Sequence, residues 1–97
     1  MSLIVNIYYT GKNGSAKKFA EEMVKSGIVD RVRAEDGNEC YEYFFPMDDT
    51  ETVMLIDKWH DQAALDAHYK TPMMQEIAVL RKKYNLNMRV EKFTEID

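Results

Sequence analysis

The stretch Val-Met-Leu-Ile-Asp-Lys-Trp-His, residues 53–60, continues as Asp-Gln-Ala-Ala-Leu-Asp-Ala-His-Tyr-Lys-Thr-Pro-Met-Met, residues 61–74. Its first part has the apolar side chains of a strand and ends on Trp59. Asp61 is a good N-cap for a short helix that carries His68, and the Thr-Pro pair after it predicts the start of a second helix. Reactive and apolar side chains are densest here, so we expect the rest of the chain to build a cavity against this segment.

Length and composition limit what this protein can be. A chain of 97 residues suits one domain, residues 1–97. A domain of this size buries only about 60–65% of its unfolded surface, so a second copy is a common source of added stability. The net charge of −4 argues against nucleic acid or an anionic membrane as the main partner. No apolar run is long enough to span a membrane, and the single cysteine, Cys40, favours a reducing, cytoplasmic setting.

Strand and helix patterns alternate along the chain. The predicted strands cover residues 3–9, 40–45, 52–59 and 86–94. Helices are predicted between the first two strands and, as a pair, between the last two, while residues 30–39 are predicted as a polar loop with room for one helical turn. This order predicts an α+β protein of the ferredoxin-like βαββαβ plan, with a four-stranded antiparallel sheet. Both sheet faces are apolar, so a second copy should cover the face without helices and form a dimeric α/β barrel.

An aromatic ladder on the second strand is a candidate binding surface. Tyr41, Tyr43 and Phe45 alternate, so they share a face of the strand. They can line a cavity for a flat ring, or they can form an ordinary core or interface stripe. We expect this ladder, and Asn6 of the first strand, to lie on the face without helices. The Asn6 amide either bonds to nearby backbone or enters a pocket.

Two ionisable side chains stand in apolar patterns. Asp57 needs a partner on its strand face, which a helix terminus, Arg81 or Arg89 could supply, and a tuned acid is the alternative. His68 shares a helix face with Leu65, and is either a packed core residue or a proton-transfer group whose chemistry suits neutral pH. The sequence has no metal-ligand spacing, so no metal site is predicted.

These elements together resemble the antibiotic biosynthesis monooxygenase (ABM) superfamily, and its quinol monooxygenase-like members, over nearly the whole chain. The residues that carry the resemblance are 53–59, 61–68, Thr71-Pro72-Met73-Met74, Glu42-Tyr43-Phe44 and Asn6-Ile7. The resemblance implies a single ABM-like domain that pairs as a homodimer. Some members of the family are cofactor-independent monooxygenases, in which the deprotonated substrate passes an electron to oxygen and neither flavin nor metal is needed.

The resemblance therefore implies an oxidoreductase that oxidises a quinol or another small phenolic aromatic with molecular oxygen and without a cofactor. Its catalytic residues would be His68, Asn6 and Trp59, with His68 or Asn6 taking or holding the phenolic proton. The substrate ring would contact a further set of side chains, namely Tyr41, Tyr43, Phe45 and Met73.

Other branches of the family imply other functions. Haem-degrading relatives are similar in using an Asn, a Trp and a His, but only Asn6 fits here, because His68 and Ala78 occupy the other two positions. Haem degradation is therefore not expected. An isomerase or lyase that acts on a small polar metabolite would need Arg81 or Arg89 turned into the cavity. A non-catalytic, stress-related binding barrel would instead have its cavity filled by three methionines, namely Met54, Met73 and Met88.

Overall fold

Eight helices and strands follow one another in the computed structural model, which describes residues 1–96. Asp97, part of the predicted domain, lies outside the described residues. In chain order the elements are β1 (Leu3–Thr10), α1 (Ser15–Lys25), α2 (Ile28–Arg33), β2 (Asn38–Phe44), β3 (Thr52–Trp59), α3 (Gln62–Tyr69), α4 (Met73–Lys83) and β4 (Asn87–Thr94). This is the ferredoxin-like plan with a pair of helices in each of its two helical connections, so the predicted α+β fold class is confirmed for the single chain.

The strands form one antiparallel sheet in the order β2-β3-β1-β4. β1 and β3 lie in its centre, where Leu3 pairs with Trp59 and Thr10 pairs with Thr52. β2 pairs with β3 on one side, and β4 pairs with β1 on the other. The segment 53–60 therefore belongs to a central strand, and its end meets the helices that follow it.

The helices cover only one face of the sheet. The side chains on this covered face come from alternate positions of β1, β2 and β3 that pair with one another. They are Leu3, Val5, Ile7, Tyr9, Tyr41, Tyr43, Val53, Leu55, Asp57 and Trp59. The open face carries the alternate set, namely Ile4, Asn6, Tyr8, Cys40, Glu42, Phe44, Met54, Ile56, Lys58, Arg89, Glu91 and Phe93. Since side chains alternate along a strand, the two sets cannot contact each other through the sheet.

Helix α1 packs an apolar stripe on the covered face. Ala16, Phe19, Ala20 and Met23 are buried, and their spacing of three and four residues places them on one side of the helix. The Tyr9 ring lies 4.8 Å from the Phe19 ring, measured between centroids. The role of α1 is therefore to close the core over the centre of the sheet.

Helix α2 was not predicted as a full element. It begins after Gly27, whose φ of 84° is easily adopted only by glycine, and it buries Ile28, Val29 and Val32. Glu35 follows Val32 by three residues and continues the same helical face beyond the end of α2. The polar appearance of residues 30–39 hid this inward-facing carboxylate.

The predicted placement of the aromatic ladder was wrong. Tyr41 lies opposite Asp57 and Tyr43 lies opposite Leu55, so both tyrosines are on the covered face and not on the open one. Phe45 follows the end of β2 and is exposed. A period of two identifies the side chains that share a face, but the pairing of strands decides which face that is.

Helix α3 packs closely against the start of β2. A Cβ atom on Gly37 would lie 2.5 Å from the Cβ atom of Ala64, and the φ of Gly37 is +86°. The backbone N–H of His60 donates to the Gly37 carbonyl at 2.8 Å. Glycine is thus required at this position, because it allows α3 to approach the backbone this closely.

Candidate functional site

The end of β3 places an aromatic and an acidic side chain together on the covered face. Trp59 and Asp57 are two residues apart, so they point the same way, and both are buried. The indole Nε1–H of Trp59 donates to Oδ1 of Asp57 at 2.7 Å. The partner of Asp57 is therefore the indole, and not the Arg81 or Arg89 side chain considered from the sequence.

The Asp57 carboxyl group titrates near neutral pH. Burial raises its pKa from the ordinary 3.8 to about 7, because an ionised carboxylate is poorly solvated in an apolar core. The hydrogen bond from Trp59 lowers the pKa, and the negative charge of Glu35 raises it. An acid with such a pKa can change protonation state under physiological conditions.

His68 lies above Trp59 on α3. This helix begins at the predicted N-cap, since Oδ1 of Asp61 accepts the Ala64 N–H at 2.9 Å. Leu65 and His68 are the buried residues of the helix. The His68 and Trp59 rings stack with centroids 4.6 Å apart and an angle of 32° between their planes. The side chain of His68 is only 3% exposed, so it is part of the core in this packing.

Glu35 binds the His68 ring from the other side. Its Oε2 lies 2.8 Å from Nδ1 of His68, within hydrogen-bond and ion-pair distance. The side chain of Glu35 is 14% exposed, so the contact is shielded from most of the solvent. Glu35 was not among the site residues predicted from the sequence. The spacing of Ile28 and Val32 could have revealed it, because position 35 continues their helical face.

Three tyrosines, Tyr9, Tyr41 and Tyr43, lie on the covered face together with Asp57 and Trp59. The Tyr41 and Tyr43 rings meet edge to face, with centroids 5.9 Å apart. Burial raises the pKa of the hydroxyls of Tyr9, Tyr41 and Tyr43 above the ordinary value of 10.0, so these phenols stay protonated at neutral pH. Within residues 1–96 the buried Tyr43 hydroxyl has no hydrogen-bond partner, which is costly unless another group supplies one.

The structure gathers most of the residues singled out from the sequence, but not all of them. Tyr41, Tyr43, Trp59, His68 and Met73 lie in one buried region between the sheet and the helices. Asn6 and Phe45 are not part of this region. Asn6 lies opposite Ile56 on the open face, and Phe45 is solvent-exposed beyond β2.

The residues named for the alternative functions do not gather at His68, with Met73 as the exception. Arg81 on α4 donates to Sδ of Met88 at 3.5 Å. Arg89 is on the open face, where its guanidinium stacks 4.0 Å from the Tyr8 ring centroid. Met54 is on the open face and Met88 is partly exposed, whereas Met73 is buried. The three methionines therefore do not fill a common cavity.

Three further features of the described residues bear on what this protein can do. No group of three His, Cys, Asp or Glu side chains within residues 1–96 is arranged to hold a metal ion. A cleft of about 410 Å³ lies on the side of the open face, lined by residues that include Tyr8, Thr52 and Arg89. None of the helices described is long and apolar enough to cross a membrane.

Comparison with known proteins gives a family and a fold. The family model described as "Antibiotic biosynthesis monooxygenase" matches residues 2–79 of this chain. The protein called "Putative monooxygenase YcnE" from Bacillus subtilis (strain 168) is 29% identical over 73 residues, which are 75% of each chain.

Solved structures share the whole architecture at low sequence identity. A Deinococcus radiodurans protein called a "putative antibiotic biosynthesis monooxygenase" has a TM-score of 0.85 at 16% identity, over 98% of this chain and 93% of that chain. SnoaB, a cofactor-independent oxygenase from Streptomyces nogalater, has a TM-score of 0.80 at 14% identity, over 99% of this chain and 94% of that one. These likenesses establish the fold alone.

Proposed function

Because this chain belongs to the antibiotic biosynthesis monooxygenase family, we propose that it is a cofactor-independent monooxygenase of a quinol or another small phenolic aromatic. Membership of the family supports a monooxygenase-like function, with oxygen and a small molecule as substrates. One observation carries the finer proposal. A histidine that is paired with a carboxylate and stacked on a tryptophan lies in an aromatic core, where a phenol could be bound and deprotonated.

The proposed chemistry begins with a proton transfer. A ring nitrogen of His68 takes the proton of a substrate hydroxyl, and the electrons of the O–H bond stay on oxygen as a phenolate. The phenolate then passes an electron to molecular oxygen, and the two radicals combine. One oxygen atom remains on the ring, and the other leaves as water with the hydrogen atoms that the quinol loses. Quinol and oxygen thus give hydroxyquinone and water, and the substrate supplies all the electrons.

The other residues of the proposed site bind the ring and exclude water. Trp59, Tyr41, Tyr43 and Met73 form its apolar walls, and the unpaired Tyr43 hydroxyl finds its hydrogen-bond partner in a substrate oxygen. Since His68 is buried, α3 has to move outward to admit a ring. This helix buries only Leu65 and His68, so we expect it to open more easily than the rest of the core.

A homodimer is part of the proposal. The open face exposes 40% of Phe44 and 49% of Phe93, and these rings lie on a sheet surface with further apolar residues such as Ile56. A second copy of the chain that places its own open face here would bury this surface and complete a dimeric barrel. Sedimentation velocity over a dilution series tests this arrangement, and a monomer at every concentration would contradict it.

The experiment that tests the proposed function is oxygen uptake with a panel of hydroquinones and polyphenols. Uptake above the spontaneous rate is expected for the wild-type protein. The His68→Asn variant should lower kcat by roughly 100-fold or more, which is a typical contribution of a general base. His60→Asn is the matched control, because His60 is exposed and its ring is not part of the buried region. It should retain wild-type uptake.

Each outcome of this experiment has a definite meaning. Uptake that survives His68→Asn would keep the reaction but remove His68 from it. The absence of uptake over a broad panel would reject the monooxygenase and favour an isomerase, a lyase or a binding barrel. Circular dichroism and thermal unfolding of each variant show whether a loss of uptake reflects chemistry or a loss of the fold.

A further inference from the structure

The contact between Glu35 and His68 joins two distant parts of the chain. Glu35 lies in the connection between α2 and β2, and His68 lies on α3, 33 residues later. The distance of 2.8 Å between Oε2 and Nδ1 is that of a strong, charge-assisted hydrogen bond. Both side chains are largely withdrawn from water, with exposed fractions of 14% and 3%. An exposed pair of long side chains would not hold such a geometry as firmly.

The two ring nitrogens of a histidine have different roles when one of them is bound to a carboxylate. A carboxylate only accepts hydrogen bonds, so the nitrogen facing Glu35 must carry a proton. In the neutral ring the proton is then on Nδ1, and Nε2 keeps its lone pair. Stacking on Trp59 holds the plane of the ring, and a ring flip would place a carbon atom against the carboxylate. Glu35 therefore selects both the tautomer and the orientation of His68.

The carboxyl groups of Asp57 and Glu35 each contact a different one of the two stacked rings. Asp57 accepts the indole N–H of Trp59 at 2.7 Å, and Glu35 binds Nδ1 of His68. Because Asp57 is already engaged by the indole, Glu35 is the carboxylate placed to orient the imidazole. Each of the two stacked rings is therefore held by its own hydrogen bond.

We propose that Glu35 is the positioning residue of the site: it keeps the proton of neutral His68 on Nδ1, so that Nε2 is the nitrogen that takes the substrate proton. The catalytic part of this inference rests on the proposed function. When Nε2 takes the phenolic proton, the ring becomes an imidazolium and the O–H electrons remain on the phenolate. The Glu35 carboxylate balances the new positive charge and does not itself take a proton.

The first test measures the tautomer directly and needs no substrate. Nitrogen-15 NMR of the two ring nitrogens of His68 should show an Nδ1–H tautomer for the neutral ring of the wild-type protein. Glu35→Gln should weaken this preference, because an amide can donate as well as accept. Glu35→Asp, which keeps a carboxylate, should restore it at least in part. Glu76→Gln is the matched control, because Glu76 is also ion-paired, with Arg31, but is exposed. It should leave the His68 signals unchanged.

The second test separates positioning from binding. With a substrate that gives uptake in the wild-type protein, Glu35→Gln should lower kcat by at least about tenfold and change KM by less than about twofold. An unchanged kcat in a variant with an altered tautomer would overturn the positioning role. A nitrogen-15 spectrum of the wild-type protein with the proton on Nε2 would contradict the inference. Identical spectra for wild type and Glu35→Gln would also contradict it.

The two proposals can fail separately. A fixed Nδ1–H tautomer in a protein without oxygenase turnover would reject the monooxygenase and support Glu35 as the residue that orients His68. Oxygenase turnover with a freely exchanging tautomer would reject the role of Glu35 and keep the reaction. Thermal unfolding of Glu35→Gln shows whether the variant is folded, so that a changed tautomer is not confused with a loss of the fold.

Discussion

The two faces of the sheet differ in how they treat polar and apolar side chains. On the covered face Trp59 is fully buried and even the carboxyl of Asp57 is withdrawn from water. On the open face the aromatic rings of Phe44 and Phe93 are left partly in solvent. An isolated domain gains nothing from exposed rings, whereas a buried carboxylate lowers the stability of the fold. These two departures from a purely stabilising arrangement are the features on which the proposed chemistry of the covered face and the proposed association of the open face rest.

The largest expected effect is on the covered face. Trp59→Ala removes the largest fully buried side chain and leaves Asp57 without its donor. We expect the free energy of unfolding to fall by about 3–5 kcal/mol, the usual range for a buried tryptophan. Urea unfolding at one pH measures this loss. Val79→Ala, on the exposed side of α4, is the control and should change stability little. Comparable losses of unfolding free energy in the two variants would show that the packing around Trp59 does not contribute most to stability.

The next effect is the pH dependence of stability. The folded pKa of Asp57 is raised, so the folded state holds its proton more tightly than the unfolded chain between pH 3.8 and about 7. Stability should therefore fall as pH rises through this window and level off above it. A rise of the pKa from 3.8 to about 7 corresponds to at most about 4 kcal/mol. Urea unfolding at several pH values from acid to mildly alkaline measures this fall.

Asp57→Asn isolates this contribution, because the amide oxygen can still accept the indole N–H. The variant should match the wild-type protein in acid and exceed its stability above neutral pH. Asp66→Asn, an exposed change on α3, should follow the wild-type curve. If the unfolding free energies of wild type and Asp57→Asn depended on pH in the same way, the pKa of Asp57 would not be raised in the folded protein.

The smallest effect on folding is expected on the open face. Phe93→Ser should change the unfolding free energy of the monomer by less than about 0.5 kcal/mol, because half of this ring is already exposed. Its effect on association should be larger, with dimer dissociation shifted by at least about tenfold in concentration. Sedimentation velocity measures the shift. Val79→Ser removes an exposed apolar side chain from a helix and should leave association unchanged. Equal behaviour of the two variants would remove the open face as the interface.

Much of the fold could be predicted because its signals are local. The strands follow from runs of β-branched and aromatic residues, and the start of α3 follows from Asp61, whose carboxylate caps the helix. The inward position of His68 follows from its spacing to Leu65. These inferences need only the period of an element and the chemistry of its ends.

The rest depends on contacts between distant segments. The face on which Tyr41 and Tyr43 lie is set by their pairing with β3, which alternation along one strand cannot reveal. The pairing of Glu35 with His68 joins a segment with the composition of a plain polar loop to a helix 33 residues later. Asn6 was grouped with His68 by family resemblance, although β1 turns it to the opposite face.

Trp59 is the only tryptophan in the sequence, and it lies in the middle of the candidate site. The tryptophan fluorescence of this protein therefore originates at one place, against the His68 ring and bonded to Asp57. A quinone bound against the indole would quench this emission, so the binding of such a ligand would be measured as a change of intensity. Trp59 is therefore a built-in fluorescence reporter of the candidate site. Compounds can be screened for binding through its emission, without a dye and without an assay of turnover.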